Sequence, residues 1–421
     1  MSNRGDKKET RVVWQPQPGP QTAFVHCPIE EIFFGGARGG GKLQPTDSLV
    51  LTPFGWKQIG ELKVGSKVCA TDGTATEVIG VYPQGEVDIY NVHFHDGTAV
   101  EAGLEHNWLG WRVNKSVKQG GERVSGERAA AKWTTAEIKK WIEGDSNKKH
   151  YATRRFAVPL VDPVSFEVQG QFKGRGNFVR RPIDPYFLGL LIGDGSLSPS
   201  KIMVTSMDDE IASYIRYAAL EDLSTYQQHG NKATDYIFRG EFRKKLQKDL
   251  ENLGLLGTKS ADKFIPRQYL FGSIEERWAL LQGLMDTDGW AEERRAVYYC
   301  TASERLAQDV AHLARSLGAL VTVNLKELSR SNANHMDAYV LRIKMRNPKR
   351  CFRLLRKREI AETIEHQSLA KYVEKIEFSR RAEAVCIQVR HSNSLYITDG
   401  FTVTHNTDAA IGRLLIKCQQ Y

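Results

Sequence analysis

The chain has 421 residues, 41% hydrophobic and 26% charged, an ordinary globular balance with room for more than one core. Its net charge of +9 and pI near 9.1 point to a polyanionic partner, nucleic acid first. Three features argue against a membrane or secreted protein: no apolar run reaches about 18 residues, the start MSNRGDKKETR lacks an apolar core, and the six cysteines (Cys27, Cys69, Cys300, Cys351, Cys386, Cys418) show no C-x-x-C spacing. A reducing, cytoplasmic setting (a bacterial host or phage-infected cell) is expected, with no structural zinc.

Residues 1–42 carry proline punctuation and end in Phe33-Phe-Gly-Gly-Ala-Arg-Gly-Gly-Gly-Lys42. Gly36, Gly41 and Lys42 fit the glycine-rich phosphate loop, which needs a Ser or Thr hydroxyl next to hold Mg²⁺. Position 43 is Leu, and Pro45 breaks the expected helix. Residues 43–112 read as all-β, with turn signals at Thr71-Asp-Gly73, Gln84-Gly85 and His95-Asp-Gly97. Residues 113–150 are basic and Gly-rich, with one short helix expected over Thr134–Ile142. From 180 to 360 longer helical patterns alternate with strands near Tyr236–Arg239 and Tyr339–Lys344. Strands return at Ala384–Val389, Leu395–Thr398 and Phe401–Thr404. From Asp408 an amphipathic helix begins.

Joining Lys42 to Thr407 gives FFGGARGGGKTDAAIGRLLIK, a complete phosphate loop followed by its helix. The 364 residues from 43 to 406 therefore split a nucleotide site, and would restore it only by leaving without a scar. His405-Asn406-Thr407 supplies chemistry for that exit. An Asn side-chain amide can attack its own carbonyl, a neighbouring His can move the proton, and a hydroxyl can carry an acyl group.

These junctions resemble those of inteins. Asp47 and Ser48 lie where that family has an Asp-Thr pair, but Leu43 stands where most members have a Cys or Ser nucleophile. The subgroup called class 3 replaces that nucleophile through a Trp-Cys-Thr triplet, and the chain is similar to it at Trp108, Cys386 and Thr404. The resemblance implies that His106 activates the Lys42–Leu43 bond and Cys386 attacks it. Thr407 then accepts the acyl group, and Asn406, helped by His405, releases the insert without a cofactor. Gly103 departs from the pattern, standing where many inteins have Thr. His391 lies near, but out of register with, another family histidine.

Within the insert, Phe187-Leu-Gly-Leu-Leu-Ile-Gly-Asp-Gly195 and Leu281-Gln-Gly-Leu-Met-Asp-Thr-Asp-Gly289 resemble each other, with Asp194 and Asp288 94 residues apart. Asp184-Pro185 and Ser273…Glu276 read as helix starts. Gly189 and Gly283 would let the two helices pack closely. Paired terminal carboxylates can hold Mg²⁺. Both motifs resemble LAGLIDADG homing endonucleases, which implies double-stranded DNA of the uninterrupted host gene as substrate. Lys263 matches a lysine expected near the scissile phosphate, with Lys344 its candidate in the second half. The basic runs Arg243–Lys248 and Arg346–Arg358 are either solvated faces or phosphate contacts.

The expected fold is mixed: an all-β Hint (horseshoe) splicing domain over 43–170 and 367–406, interrupted by an α/β endonuclease domain over 175–362. The flanks 1–42 and 407–421 would be exteins resembling a phage terminase large subunit, with an ATP site (Gly36, Gly41, Lys42, Thr407) only after splicing. The chain is expected to be monomeric. Two rivals stay open: a splicing-dead DNA-binding or endonuclease module, and a nucleotide-driven motor with an inert insert.

Overall fold

Two strands of unusual length, Ala75–Phe94 and Ala370–Val389, organise the all-β part. They pair antiparallel from Val78 opposite Val389 to Phe94 opposite Val373, with four register shifts along the way. Each shift adds an unpaired residue and local twist, which bends a ribbon of this length. Gln84-Gly85 is one of them. The pairing steps from Gly85–Ala384 to Pro83–Val385, so these residues form a bulge inside the strand, not the expected turn. The glycine still matters, because its φ of 73° is one that L side chains rarely adopt. The computed structural model describes residues 43–113, 118–119, 122–123, 130–144, 155–167, 181–227, 232–326, 337–365 and 369–405.

On one side of this ribbon lie Arg155–Pro159, Asn107–Val113 and Ala131–Thr134, in that order outward; Lys67–Cys69 flanks the other. Gln44–Pro45 adds to Ala370–Val389, and Ala99–Gly103 to Ala75–Phe94. A second sheet has the order Thr402–His405, Leu395–Thr398, Leu49–Thr52, Gly55–Gln58. The beginning and end of the insert thus share one sheet. Alternating apolar residues on these strands bury Phe94, Trp108, Phe156, Ile397 and Val403 between them. The short helix is Thr135–Glu143, one residue later than expected, with Thr134 and Glu137 forming a capping box.

The middle repeats one pattern twice. Helix Pro185–Asp194 leads into Gly195–Ser198 and Lys201–Ser206, then a helix, then Leu223–Gln227 and Thr234–Phe238. Helix Ile274–Asp288 leads into Gly289–Glu292 and Ala296–Thr301, then a helix, then Leu320–Lys326 and Ala338–Lys344. In both four-stranded sheets the spatial order is first, second, fourth, third. The expected caps are present: Asp184 accepts from Phe187 N–H, and Ser273 and Glu276 form a capping box. The two motif helices touch through their glycines. A Cβ on Gly189 would sit 2.6 Å from the Leu280 carbonyl, and one on Gly283 would sit 2.9 Å from Gly189 Cα. Only hydrogen fits there.

The two parts meet through Arg277, fully buried, which donates to the Gly272 and Ser316 carbonyls at 3.1 and 2.9 Å and to the Val164 carbonyl. Beside it Trp56, His312, Phe401 and Phe271 stack edge to face. Burial and the charges of Arg277, Arg315 and Arg267 push the His312 imidazole down to about 3, so it is neutral near pH 7. Among the described residues no helix is long and apolar enough to cross a membrane.

Candidate functional site

Strand register builds the first site. Gln44 lies opposite Val385 and Pro45 opposite Ala384, so the same register carried one residue back sets Leu43 opposite Cys386. Cys386 is a buried thiol, 1% exposed, outside any disulfide. The residue after Leu43 is held from two directions: Gln44 accepts from the Tyr396 hydroxyl at 2.8 Å and donates to Thr398 Oγ1 at 3.0 Å. Burial and the neighbouring Cys386 push the Tyr396 phenol far up, so it stays a donor. Leu43 itself accepts at its carbonyl from Gly103 N–H at 2.8 Å.

Gly103 now has a steric reason. A Cβ there would lie 3.0 Å from Leu43 Cβ and 3.1 Å from Leu43 Cδ1. The Leu43 side chain crowds the space a side chain at 103 would need.

His106, Trp108 and Thr404 come together in the fold. All three are fully buried. His106 Nε2 bonds Thr404 Oγ1, and the Trp108 ring stands edge to face on the His106 ring at 5.0 Å. The strands Leu395–Thr398 and Thr402–His405 pair Tyr396 with Thr404 and Leu395 with His405, which brings this histidine end of the insert beside the Cys386–Tyr396 pair. His405 is buried. Asn406, Thr407, Lys42, Gly36 and Gly41 lie outside the described residues. His391 does not join the site; it bonds Asn393 at 2.6 Å and Asp72 at 3.1 Å on the outer side. Asp47 is tied to Arg380 at 2.7 Å, and that arginine also holds Glu101.

The second site lies at the ends of the paired motif helices. Burial and the charge of Asp194 lift the Asp288 carboxyl to about 6, while Lys263 and Lys357 oppose the rise. Burial lifts Asp194 too, against the pull of Lys357 and Lys263. Two carboxylates and two ammonium groups therefore act on one another here. Lys263 is nearly buried and donates to the carbonyls of Gly193 and Gly195 at 2.9 and 2.8 Å. Its counterpart is Lys357, not Lys344. Lys357 donates to Thr287 and Gly289 at 3.2 and 2.6 Å, and to Met285 and Asp286 at 3.0 and 2.7 Å. Residues 287 and 289 stand in the second motif where 193 and 195 stand in the first, and 357 follows 263 by the same 94 positions that separate Asp194 from Asp288. That spacing was the available signal. Lys344 instead ends its strand opposite Leu320, beside Arg295 and Arg346.

Asp286, also in the second motif, is a structural acid. It accepts from Tyr186 Oη at 2.9 Å and from the Arg353 and Leu354 amides, and burial lifts it to about 6. Much of the run Arg346–Arg358 is spent internally: Arg350 lies over Trp278, Arg353 over Tyr186, and Arg356 pairs with Asp208 at 2.7 Å. Lys349 pairs with Glu362. In the other run, Lys244 pairs with Glu241 on an exposed helix and Arg243 bonds the Pro199 carbonyl.

Residues 275–356 match the family model described as a LAGLIDADG-like domain. The half of the middle that precedes this match repeats the same order of helices and strands. Around the middle lies an all-β unit, so the chain as a whole is of mixed class. A replicative DNA helicase DnaB of Mycobacterium intracellulare is 29% identical over 397 residues, which covers 90% of this chain and 60% of the relative. Another, from Nostoc sp., is 32% identical over 157 residues, covering 33% of this chain and 18% of the relative. The chain thus spans less than two thirds of the length of either. Among solved structures, the I-DmoI complex with DNA and Ca is 15% identical with a TM-score of 0.30, covering 43% of this chain and 97% of that one. The MchDnaB-1 intein is 30% identical with a TM-score of 0.15, covering 16% and 52%. These relatives are helicases, where the flanks led to an expectation of a terminase.

Proposed function

We propose that residues 43–406 are a self-excising intein that joins Lys42 to Thr407 through Cys386, and that the inserted middle is a site-specific DNA endonuclease. The observation that carries the splicing reading is the register that sets Leu43 opposite Cys386, with His106 and Thr404 bonded to each other at the same end. Leu43 has no nucleophile, so the thiol across the strand pair takes that part.

The Cys386 sulfur attacks the Lys42 carbonyl carbon, and the C–N bond to Leu43 breaks. The thiol proton goes to the departing Leu43 amine by way of His106, whose bond to Thr404 holds its ring. The Thr407 hydroxyl next attacks the thioester, which forms an ester and returns the Cys386 thiol. The Asn406 side-chain nitrogen then attacks its own carbonyl; a succinimide forms and the Thr407 amine leaves. That amine takes the acyl group from its own oxygen, and an amide remains. Each step exchanges one acyl bond for another, so proximity suffices and no cofactor is needed.

For the endonuclease, Asp194 and Asp288 would hold a divalent cation, Mg²⁺ in this reading. The donor set fits: two carboxylates that repel each other gain by sharing a hard cation, and among the described residues no third His, Cys, Asp or Glu converges on them. Water and DNA phosphate oxygens are the usual remaining ligands of such a cation. When bound, it would stabilise charge developing on a cleaved phosphodiester. Lys263 and Lys357 hold the helix ends in place and keep positive charge beside both carboxylates. The substrate would be double-stranded DNA of the uninterrupted host gene.

We assign the splicing domain to 43–170 and 367–406, the endonuclease to 175–362, and exteins to 1–42 and 407–421, in a monomer of the bacterial cytoplasm. The helicase relatives favour a replicative helicase over a terminase as host, since a phosphate loop serves either motor. The test is intact mass after expression. It should reveal a 364-residue insert, 43–406, ending in succinimide, beside 1–42 joined to 407–421. A chain that stays at full length would overturn the splicing reading.

A further inference from the structure

Thr135 is a fully buried hydroxyl at the first turn of the helix Thr135–Glu143, outside every motif of the junctions. Its Oγ1 accepts from Trp108 Nε1 at 2.9 Å and donates to the His106 carbonyl at 3.2 Å. Its backbone N–H donates to that same carbonyl at 2.8 Å, and Ala136 N–H bonds the Leu104 carbonyl at 2.8 Å. One residue thus ties the main chain of His106 to the indole of Trp108, whose ring packs on the imidazole. We propose that Thr135 is a positioning residue for splicing: its hydroxyl orients His106 and Trp108 toward the Lys42–Leu43 bond. This rests on the splicing reading above.

A β-branched threonine suits the place. Its methyl fills apolar space, its χ1 is restricted, and its oxygen meets one donor and one acceptor. Valine keeps the shape and removes the oxygen. The Trp108 N–H and one bond to the His106 carbonyl are then lost together, although the backbone bond remains. Serine keeps the oxygen and loses the methyl.

The two junction steps separate positioning from general damage. The N-terminal step is read in an Asn406→Ala background, as thiol-released 1–42 fragment. The C-terminal step is read in a Cys386→Ala background, as release of 407–421. Thr135→Val should slow the N-terminal step by about tenfold or more, the effect of losing two buried hydrogen bonds while the backbone bond to the His106 carbonyl remains. It should leave the C-terminal step within about twofold, and Thr135→Ser should restore the N-terminal step to within about threefold of the parent. Equal slowing of both steps by Thr135→Val, an unchanged N-terminal step, or failure of Thr135→Ser to restore it would each overturn the proposal. A parent chain that gives no thiol-released fragment would instead overturn the Cys386 pathway, and this inference with it.

Discussion

Replacing Lys357 with Met tests its role as the second lysine of the proposed endonuclease. In the folded protein burial holds its ammonium near 8 instead of the ordinary 10.5. That difference is a burial cost of roughly 3 kcal/mol, which methionine would not bear. Against it stand the carbonyls of Asp286, Thr287 and Gly289, which lose this donor, while Met285 keeps the Gly289 N–H. Leaving buried acceptors unpaired costs about 1–3 kcal/mol each, less where the helix end can relax. The net is a destabilisation of about 2 kcal/mol, a few degrees in melting temperature. The chemical effect is sharper. Lys357 is one of two cations that oppose protonation of Asp288, so its loss moves that carboxyl above about 6. Metal binding needs the carboxylate, so the cutting profile should move to higher pH, with a loss of about tenfold at pH 6 and less at pH 8. The assay is cleavage of a plasmid that carries the joined Lys42–Thr407 codons, with melting measured alongside. Lys344→Met should leave the profile in place. A Lys357→Met protein that cuts with the parent's pH profile, or a profile that shifts only with Lys344→Met, would refute the assignment.

Other outcomes follow from the same geometry. Cys386→Ala should abolish cleavage at Lys42–Leu43, whereas Cys69→Ala should not, since burial pushes the Cys69 thiol up to about 12 and it does not face the junction; mass spectrometry distinguishes them. Asn406→Ala should accumulate a species from which a small thiol releases residues 1–42, detectable by mass. Gly283→Ala should destabilise the paired helices by about 3 kcal/mol or more, because its methyl would overlap the Tyr186 carbonyl and lie 2.9 Å from Gly189 Cα; chemical denaturation reads this. The double variant Asp194→Asn, Asp288→Asn should splice normally but not cut DNA. Parent cutting should need divalent metal, fall with salt, and rise as pH climbs through about 6, where Asp288 ionises. The stability sign is opposite: without metal, the proton held by Asp288 favours the fold below its ordinary 3.8, and that gain is lost as pH rises to about 6. Cleavage that is flat between pH 5 and 8 (roughly one unit either side of that midpoint and beyond) would contradict the burial of Asp288.

Local sequence determined much of this protein. The capped starts at Asp184 and Ser273, the paired helix glycines and the two terminal aspartates depend on neighbours within a turn or two, so they were legible without a structure. His106, Trp108 and Thr404 stood out in the sequence too, and the fold brings their side chains together. Tertiary structure decided the rest. The Gln84-Gly85 pair reads as a turn locally, yet the partner strand Ala370–Val389 runs past it and turns it into a bulge. Lys344 looked like the second lysine by strand position, but the helix end Asp286–Gly289 is satisfied by Lys357 from a later helix, through main-chain carbonyls that carry no sequence identity. The glycine at 103 has its reason only in the folded chain, where Leu43 packs against it. Thr135, 29 residues from His106, acts through a carbonyl that any residue could supply. Motifs record side chains that do chemistry. The contacts that aim them run through backbone and across long separations, and only the folded chain brings those together.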